Sequence, residues 1–243
     1  MNLLLFNSVE LDPTGRLTVT DRRLQHLLGV LRSCAGDRIR VGQIDGQIGE
    51  GLVETIDQNA ARIAIHLQQA PPAALPLTVV LALPRPKMLR RILRTVAEVG
   101  VKDIYLINSY RVEKSYWMSP LLQPAALREA LLAGLEQAGD TRLPELRTEP
   151  RFRPFAEDRL PALCRDSVAI LAEPTAAAPY PPTPQTPALL AIGPEGGFIP
   201  FERELLERAG CAPHSLGTRI LRVETALHCA LGRHLSGARI AIS

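Results

Sequence analysis

The chain has 243 residues, 46% of them hydrophobic, 22% charged and 4% aromatic, and its net charge is +3. This composition supports an aliphatic core and excludes a globally disordered chain, and the length allows one large domain or two small ones. No apolar run reaches the roughly 18–20 residues of a membrane span, and the N-terminus lacks the basic start of a signal peptide. We therefore expect a cytoplasmic protein with no membrane partner. The cysteines and histidines match no ligand spacing, so we expect no metal.

The first seventy residues show short β-prone segments around one helix. The segments are 3–6, 16–19, 38–41, 48–56 and 62–67. Thr20 or Asp21 can cap a helix, and one face of that helix then carries Leu24, Leu27, Leu28 and Leu31. Several short strands with one helix predict a small β-barrel domain at residues 1–70.

A different rhythm follows the proline-containing segment 70–76, which predicts a stiff linker. The strands predicted after it are 77–83, 103–107, 167–171, 188–192 and 211–216. The predicted helices are 87–99, 124–138, 201–209 and 224–236. Because strands alternate with helices, we predict a mostly parallel α/β sheet in a second domain at residues 77–243. The proline-rich segment 174–187 predicts a long surface loop.

Three segments directly follow predicted strands in the C-terminal part of the chain. They are candidates for ligand binding, because ligands of open α/β sheets bind beyond the carboxyl ends of the strands. The segments are 172–174, 193–197 and 217–225. If their strands are neighbours, they converge on one crevice. Glycines in 193–197 would let the backbone approach a flat ligand, although a plain tight turn is the alternative. The arginines and glutamate of 219–224 would form either part of the site or a solvated ion pair.

The helix predicted at 87–99 carries a basic stripe. One of its faces presents Lys87, Arg90, Arg91 and Arg94. A solvated face normally mixes charges of both signs, so this acid-free stripe favours phosphate contacts over that alternative. Few aromatic residues are available, and we predict that Tyr105, Tyr110, Tyr116 and Trp117 mostly pack inside the protein. We therefore expect little base stacking on the surface.

Two long motifs resemble those of one enzyme family. Residues 192–198 read IGPEGGF and residues 216–226 read LGTRILRVETA. Together they resemble the RsmE family of 16S ribosomal RNA uridine-N3 methyltransferases, which belongs to the SPOUT, or trefoil-knotted, class. The likeness runs the length of the chain, because further motifs of this family resemble residues 26–32, 87–88, 98–101, and 136–137 with 142–145.

The resemblance implies more than spacing alone can show. It implies a PUA-like N-terminal barrel that helps to grip RNA and a knotted C-terminal α/β domain. The implied methyl donor is S-adenosyl-L-methionine. The implied partners are 16S rRNA or the 30S ribosomal subunit, and a second copy of the chain in a homodimer.

The resemblance also assigns candidate site residues. Arg222 or Arg219 would stabilise charge on the uracil oxygens, and Glu224 would orient an arginine or accept the proton. Arg32 and the basic stripe would contact RNA. Main-chain groups of three segments would hold the methyl donor: Leu171, Ala172 and Glu173; Ile192, Gly193, Pro194, Glu195, Gly196 and Gly197; Leu216, Gly217, Ile220 and Leu221.

Four positions depart from the family's usual residues. They are Leu5, Thr95, Asp140 and Val223. Because the donor motifs are intact, methyl transfer is better supported than the identity of the nucleotide. Two alternatives remain open: the same chemistry on another ribosomal or transfer RNA nucleotide, and a non-catalytic RNA-binding relative.

Overall fold

The computed structural model describes residues 2–181 and 186–235. The chain folds as two compact units. The first comprises Met1–Ala73 and Leu131–Leu143, and the second comprises Ala74–Ala130 and Pro144–Ser243. The functional division into domains 1–70 and 77–243 stays a proposal.

The first unit is built on a five-stranded sheet. Its strands are β1 (Leu4–Phe6), β2 (Arg16–Val19), β3 (Arg38–Gln43), β4 (Ile48–Ile56) and β5 (Ala61–Gln69). Their order is β1-β3-β4-β5-β2, with β1 parallel to β3 and the other neighbours antiparallel. The sheet curls into a half-barrel whose edges, within the described residues, are β1 and β2. Alternating side chains such as Leu17, Val19, Val53 and Ile63 fill its core.

The predicted N-terminal helix is split in two. Helix α1 (Arg22–His26) begins after Asp21, whose side chain accepts a hydrogen bond from the backbone of Arg23. It continues as a π-helical turn at Leu27–Leu31. Leu24 and Leu27 are buried, but Leu31 is 48% exposed. The wider π turn rotates Leu31 away from the core, so the prediction of one continuous apolar face is wrong at that position.

The second unit is built on a six-stranded sheet. All of its neighbouring strands are parallel, which agrees with the predicted mostly parallel sheet. Its strands are β6 (Leu75–Ala82), β7 (Val101–Ile107), β8 (Glu145–Glu149), β9 (Val168–Ala172), β10 (Ala188–Ile192) and β11 (Ala212–His214). Their order is β11-β9-β10-β6-β7-β8. The helices are α2 (Pro86–Glu98), α3 (Pro124–Ala138), α4 (Phe152–Pro154), α5 (Leu160–Cys164), α6 (Pro200–Arg208) and α7 (Val223–Leu235). Helix α3 is shared, because residues 131–138 belong to the first unit.

The sequence missed some elements of this unit. It did not predict β8 or the helical stretch that contains α4 and α5. Strand β6 begins at Leu75, inside the predicted linker, because Leu75 pairs with Val101 of β7. Residues 182–185 of the predicted loop and Ser236 of the predicted last helix lie outside the described residues.

Candidate functional site

Three strands of the second unit end at the same level. Ala172 at the end of β9 is in register with Ile192 at the end of β10 and with His214 at the end of β11. The segments that follow these strands therefore leave the sheet side by side. The predicted convergence on one crevice is confirmed, because β9 lies between β10 and β11.

A cleft of about 610 Å³ opens where these segments meet. It is lined by Arg111, Ala172–Thr175, Ile192–Phe198, Arg203, Leu216–Leu221, Val223 and Ala226. All the predicted donor-binding residues except Leu171 line it. Leu171 is fully buried in β9, where its side chain packs in the core. The volume lies within the range of about 300–1,000 Å³ typical of small-molecule sites.

The loop after β10 brings main-chain atoms to the cleft. Gly197 has φ +72 and its amide donates to the Pro194 carbonyl, which closes a tight turn. A Cβ on Gly196 would lie 2.8 Å from Cδ of Arg111, and one on Gly193 would lie 3.1 Å from the Phe198 ring. A Cβ on Gly196 would therefore require the Arg111 side chain to shift, and one on Gly193 would require the Phe198 ring to give by a few tenths of an ångström.

Arg111 is a cleft residue that the sequence did not reveal. It follows β7, and its Nη1 donates to the Gly196 carbonyl. This contact ties the loop after β7 to the glycine-rich loop after β10. The only local signal was its position beyond the carboxyl end of a parallel strand, which many loop residues share.

Buried Glu202, in the first turn of α6, fixes the same loop. Its Oε1 accepts from the Tyr110 amide at 2.7 Å, and its Oε2 accepts from the Ile199 amide at 3.1 Å and from Ser109 Oγ at 3.3 Å. Glu202 is 3% exposed, so its carboxylate depends on these donors in place of water. It therefore joins the loop after β7 to the start of α6.

Two acidic residues of the cleft form ion pairs. Oε2 of Glu173 lies 3.6 Å from Nε of Arg203. Oε1 of Glu195 lies 3.6 Å from Nε of Arg85. The backbone amide of Glu173 also donates to the His214 carbonyl. Glu173 is the more enclosed of the two, with a side chain only 13% exposed.

The loop 216–221 is anchored at its start. The Ser215 amide donates to the Ala178 carbonyl and the Tyr180 amide donates to the Ser215 carbonyl, both at 2.8 Å. The Tyr180 hydroxyl lies 2.7 Å from Nε2 of His234 on α7. Burial raises the pKa of Tyr180 well above its ordinary value, so the phenol stays neutral. The residues before the loop are thus bound to α7, the helix that begins just after it.

The three candidate catalytic residues lie in this loop or directly after it. Arg219 is exposed and lines the cleft. Arg222 is exposed just before α7, outside the cleft lining, and Glu224 is half-buried in the first turn of α7. Of the three, only Arg219 lines the cleft, and the roles of all three stay predictions.

The candidate RNA contacts are all exposed. On α2, Lys87, Arg90, Arg91 and Arg94 face solvent, opposite buried Leu89, Ile92, Leu93 and Val96. The basic stripe is therefore placed as predicted. In the first unit, exposed Arg32 adopts a left-handed backbone conformation, with φ 53, at the end of the π-helical turn.

The departures at Thr95 and Val223 have visible structural roles. Thr95 Oγ1 lies 3.2 Å from Nε2 of His228, so it links α2 to α7. Near this contact, burial raises the pKa of the Glu98 carboxyl. The charges of Arg94 and His228 lower that pKa by a smaller amount. Val223 is 5% exposed and contributes to the cleft wall.

The other two departures are buried in the first unit. Leu5 lies in β1 and is 4% exposed. Asp140 is 3% exposed, and its Oδ1 accepts from the Arg142 amide at 2.9 Å. Both side chains are therefore part of the protein interior.

Metal-binding and membrane-spanning features are absent from the described part of the chain. No cluster of three or more His, Cys, Asp or Glu side chains there is arranged to hold a metal ion. Within the same residues, no helix has the length and apolarity that crossing a membrane requires.

Comparison with known proteins gives a consistent match. A family model described as an RNA methyltransferase domain matches residues 71–235. Ribosomal RNA small subunit methyltransferase E of Treponema pallidum is 31% identical, covering 98% of this chain and 92% of that protein. Ribosomal RNA small subunit methyltransferase E 1 of Borreliella burgdorferi is 26% identical over 93% of this chain and 94% of that protein.

Solved structures match the fold over nearly the whole chain. Ribosomal RNA small subunit methyltransferase E from Neisseria gonorrhoeae, bound to S-adenosyl methionine, has a TM-score of 0.76 at 21% identity, with 95% of each chain covered. The protein Lpg2936 from Legionella pneumophila, in complex with the bound cofactor SAM, has a TM-score of 0.73 at 24% identity, also with 95% of each chain covered. The half-barrel and the parallel-sheet unit thus have the fold of these two proteins. The family model matches most of this chain, and the Treponema pallidum relative is 31% identical and covers 98% of it. The chain therefore belongs to the RsmE family of RNA methyltransferases.

Proposed function

We propose that this protein transfers the methyl group of S-adenosyl-L-methionine to N3 of a uridine in 16S rRNA. The observation that carries the proposal is the cleft at the aligned ends of β9, β10 and β11, where the two long family motifs meet. The relatives named above are ribosomal RNA small subunit methyltransferases, and the two solved structures contain the methyl donor.

The residues present fit this donor. The tight turn at 193–197 and the loop 216–221 offer main-chain donors and acceptors to the adenine and methionine parts. The Glu173 carboxylate, at the end of β9, would accept hydrogen bonds from the ribose hydroxyls. The donor supplies a methyl group on a sulfonium, and transfer requires an in-line approach of the nucleophile.

The chain's own residues would prepare the uridine. N3 carries an imide proton and becomes nucleophilic when that proton leaves. The guanidinium groups of Arg219 and Arg222 would stabilise the negative charge that then develops on the uracil oxygens. Glu224 would orient one of these arginines or accept the proton. As the N3–carbon bond forms, the sulfur–carbon bond breaks and its electron pair returns to sulfur.

The RNA contacts and the dimer belong to the same proposal. The basic stripe on α2 and Arg32 in the half-barrel would bind phosphates of 16S rRNA or the 30S subunit. Two copies would form a homodimer in the cytoplasm, with each site completed near the subunit interface. Ile220 supports this arrangement, because it lies at the cleft and is 90% exposed in one copy.

The proposal is tested by methyl transfer from labelled S-adenosyl-L-methionine. The substrates are 30S subunits, naked 16S rRNA and tRNA from cells that lack this protein, and mass spectrometry identifies the modified nucleotide. We expect label at uridine N3 of 16S rRNA. Label on another RNA would show that the RNA-binding residues recognise a different target, and would contradict the proposed 16S rRNA substrate. A protein that binds no donor would contradict the enzymatic proposal, and a monomer by light scattering would contradict the dimer.

A further inference from the structure

Two exposed aromatic side chains of this protein lie on segments that also carry cleft residues. The chain has five Phe, four Tyr and one Trp, all within the described residues. Of these, only Tyr110, 79% exposed, and Phe201, 50% exposed, reach solvent over half or more of their surface, and the others are buried or half-buried. The expectation that Tyr110 packs inside the protein is therefore wrong.

Glu202 brings the two aromatic residues into neighbouring segments. Its carboxylate accepts the Tyr110 amide at 2.7 Å, and Phe201 is the residue immediately before it in α6. Since Glu202 is buried and also holds Ser109 and Ile199, both backbone segments are fixed in place. The aromatic rings therefore project from a rigid base, and holding them for a ligand costs little backbone entropy.

The same segments form part of the cleft. Arg111 follows Tyr110, lines the cleft and donates to the Gly196 carbonyl. Phe198, three residues before Phe201, also lines the cleft. Tyr110 is thus adjacent in sequence to one cleft residue, and Phe201 lies three residues after another, on the segments that bound the site where the methyl donor would bind.

The chemistry of the proposed reaction gives a surface of this kind a role. N3 lies on the Watson–Crick edge of uracil, so a target uridine must be unpaired before it can react. An enzyme that acts on such an atom takes the base out of its stack, and the neighbouring bases lose a stacking partner. Aromatic side chains replace that partner for unpaired bases of any sequence.

We propose that Tyr110 and Phe201 form a stacking surface for unpaired RNA bases that flank the target nucleotide. Arg111 would contact the adjoining phosphate, because a guanidinium offers five N–H donors and the Gly196 carbonyl accepts from one nitrogen only. This inference rests on the proposed function. It assigns these aromatic residues a positioning role, outside the transfer step itself.

The first test measures RNA methylation kinetics. Y110A/F201A should raise KM for 16S rRNA about tenfold or more, with little change in the affinity for S-adenosyl-L-methionine. The conservative variant Y110F/F201Y retains both ring faces and should restore KM. Val168→Ala is the control, because Val168 is exposed at the opposite end of β9, where it pairs with Ala188. An unchanged KM in the alanine variant would overturn the proposal.

The second test does not depend on methyl transfer. A short single-stranded RNA with 2-aminopurine next to its only uridine reports stacking through fluorescence quenching on binding. We expect quenching by the wild type and by Y110F/F201Y, and none by Y110A/F201A. If the wild type quenches but methylates no RNA, the proposed function fails and the stacking surface stands. If Y110A/F201A loses its oligomeric state in light scattering, a second copy covers the surface, and the proposal is wrong.

Discussion

Arg111 and Gly196 are 85 residues apart in sequence, and a hydrogen bond from the Arg111 side chain to the Gly196 carbonyl joins them. The bond links the loop after β7 to the turn at the centre of the cleft. A Cβ on Gly196 would stand 2.8 Å from Cδ of Arg111, so the side chain covers the glycine directly. A side chain at Gly196 would therefore have to displace the Arg111 side chain from the turn.

Gly196→Ala should weaken the binding of S-adenosyl-L-methionine about tenfold, because overpacking of about 1–3 kcal/mol would displace Arg111 and the turn. Isothermal titration calorimetry measures the affinity. Gly29→Ala is the matched control, since a Cβ on Gly29 meets no atom within 4 Å. Equal donor affinity in the two variants would contradict this account of the turn.

The two candidate arginines should differ in what they affect. Arg222→Ala should lower kcat by about 10²–10³-fold, the effect of removing one preorganised donor to a developing negative charge. Arg219→Ala should also weaken donor binding, because Arg219 lines the cleft and Arg222 does not. Single-turnover kinetics separates the two effects. Normal turnover by Arg222→Ala would remove its proposed role.

The basic stripe on α2 should control RNA affinity without affecting the methyl donor. Replacing Lys87, Arg90, Arg91 and Arg94 by alanine should weaken RNA binding and reduce the slope of log K against log salt by about one for each phosphate that the variant no longer binds. Donor affinity should be unchanged, since these four residues lie outside the cleft lining. Filter binding over a salt series measures the slope. An unchanged slope would show that the stripe contacts no phosphates and is an ordinary solvated surface.

Arg22 and Glu136 form an ion pair within the first unit. Two guanidinium nitrogens donate to the carboxylate at 2.6 and 3.0 Å, and the side chain of Glu136 is only 6% exposed. Arg22→Ala should lower the free energy of unfolding by about 1–3 kcal/mol, because it leaves a buried carboxylate with fewer donors.

Urea denaturation measures this effect. The control is Arg38→Ala, whose partner Glu50 is 47% exposed, and it should cost less than about 1 kcal/mol. Equal effects of the two substitutions would show that burial of Glu136 adds nothing to the pair.

Acid should destabilise the first unit partly through Asp12. Hydrogen bonds from the Thr14 hydroxyl and the Arg16 amide lower the pKa of Asp12 from 3.8 to about 2. The unfolded chain therefore binds the proton more readily than the folded chain. The stabilisation is complete above pH 3.8 and is lost as the pH falls through about 2. In urea denaturation over this range, Asp12→Asn should reduce the pH dependence, and an unaltered dependence would contradict the assignment.

Much of the site could be predicted from the sequence, because parallel strands carry a positional rule. Once 188–192 and 167–171 are recognised as buried strands, the residues after them must meet at one sheet edge. The structure places the β9 and β10 segments there, together with the loop 216–221. Leu171 lies outside the cleft lining, within β9, and its role stays a prediction.

Arg111, Glu202 and the exposed aromatic pair could not be predicted in the same way. Each depends on contacts between segments that are about ninety residues apart, such as Tyr110 with Glu202. No local pattern distinguishes Glu202 from an ordinary surface glutamate in the first turn of a helix. Its burial is decided by the loop after β7, which packs over it.

The sequence by itself determined the alternation of strands and helices, the basic stripe and the two family motifs, because these depend on residue type and short spacing. The tertiary structure alone decided the order β11-β9-β10-β6-β7-β8 and the placement of residues 131–143 in the first unit. It also decided which aromatic side chains reach solvent. These features depend on burial and pairing between distant segments, and such long-range packing is not encoded in any single stretch of the chain.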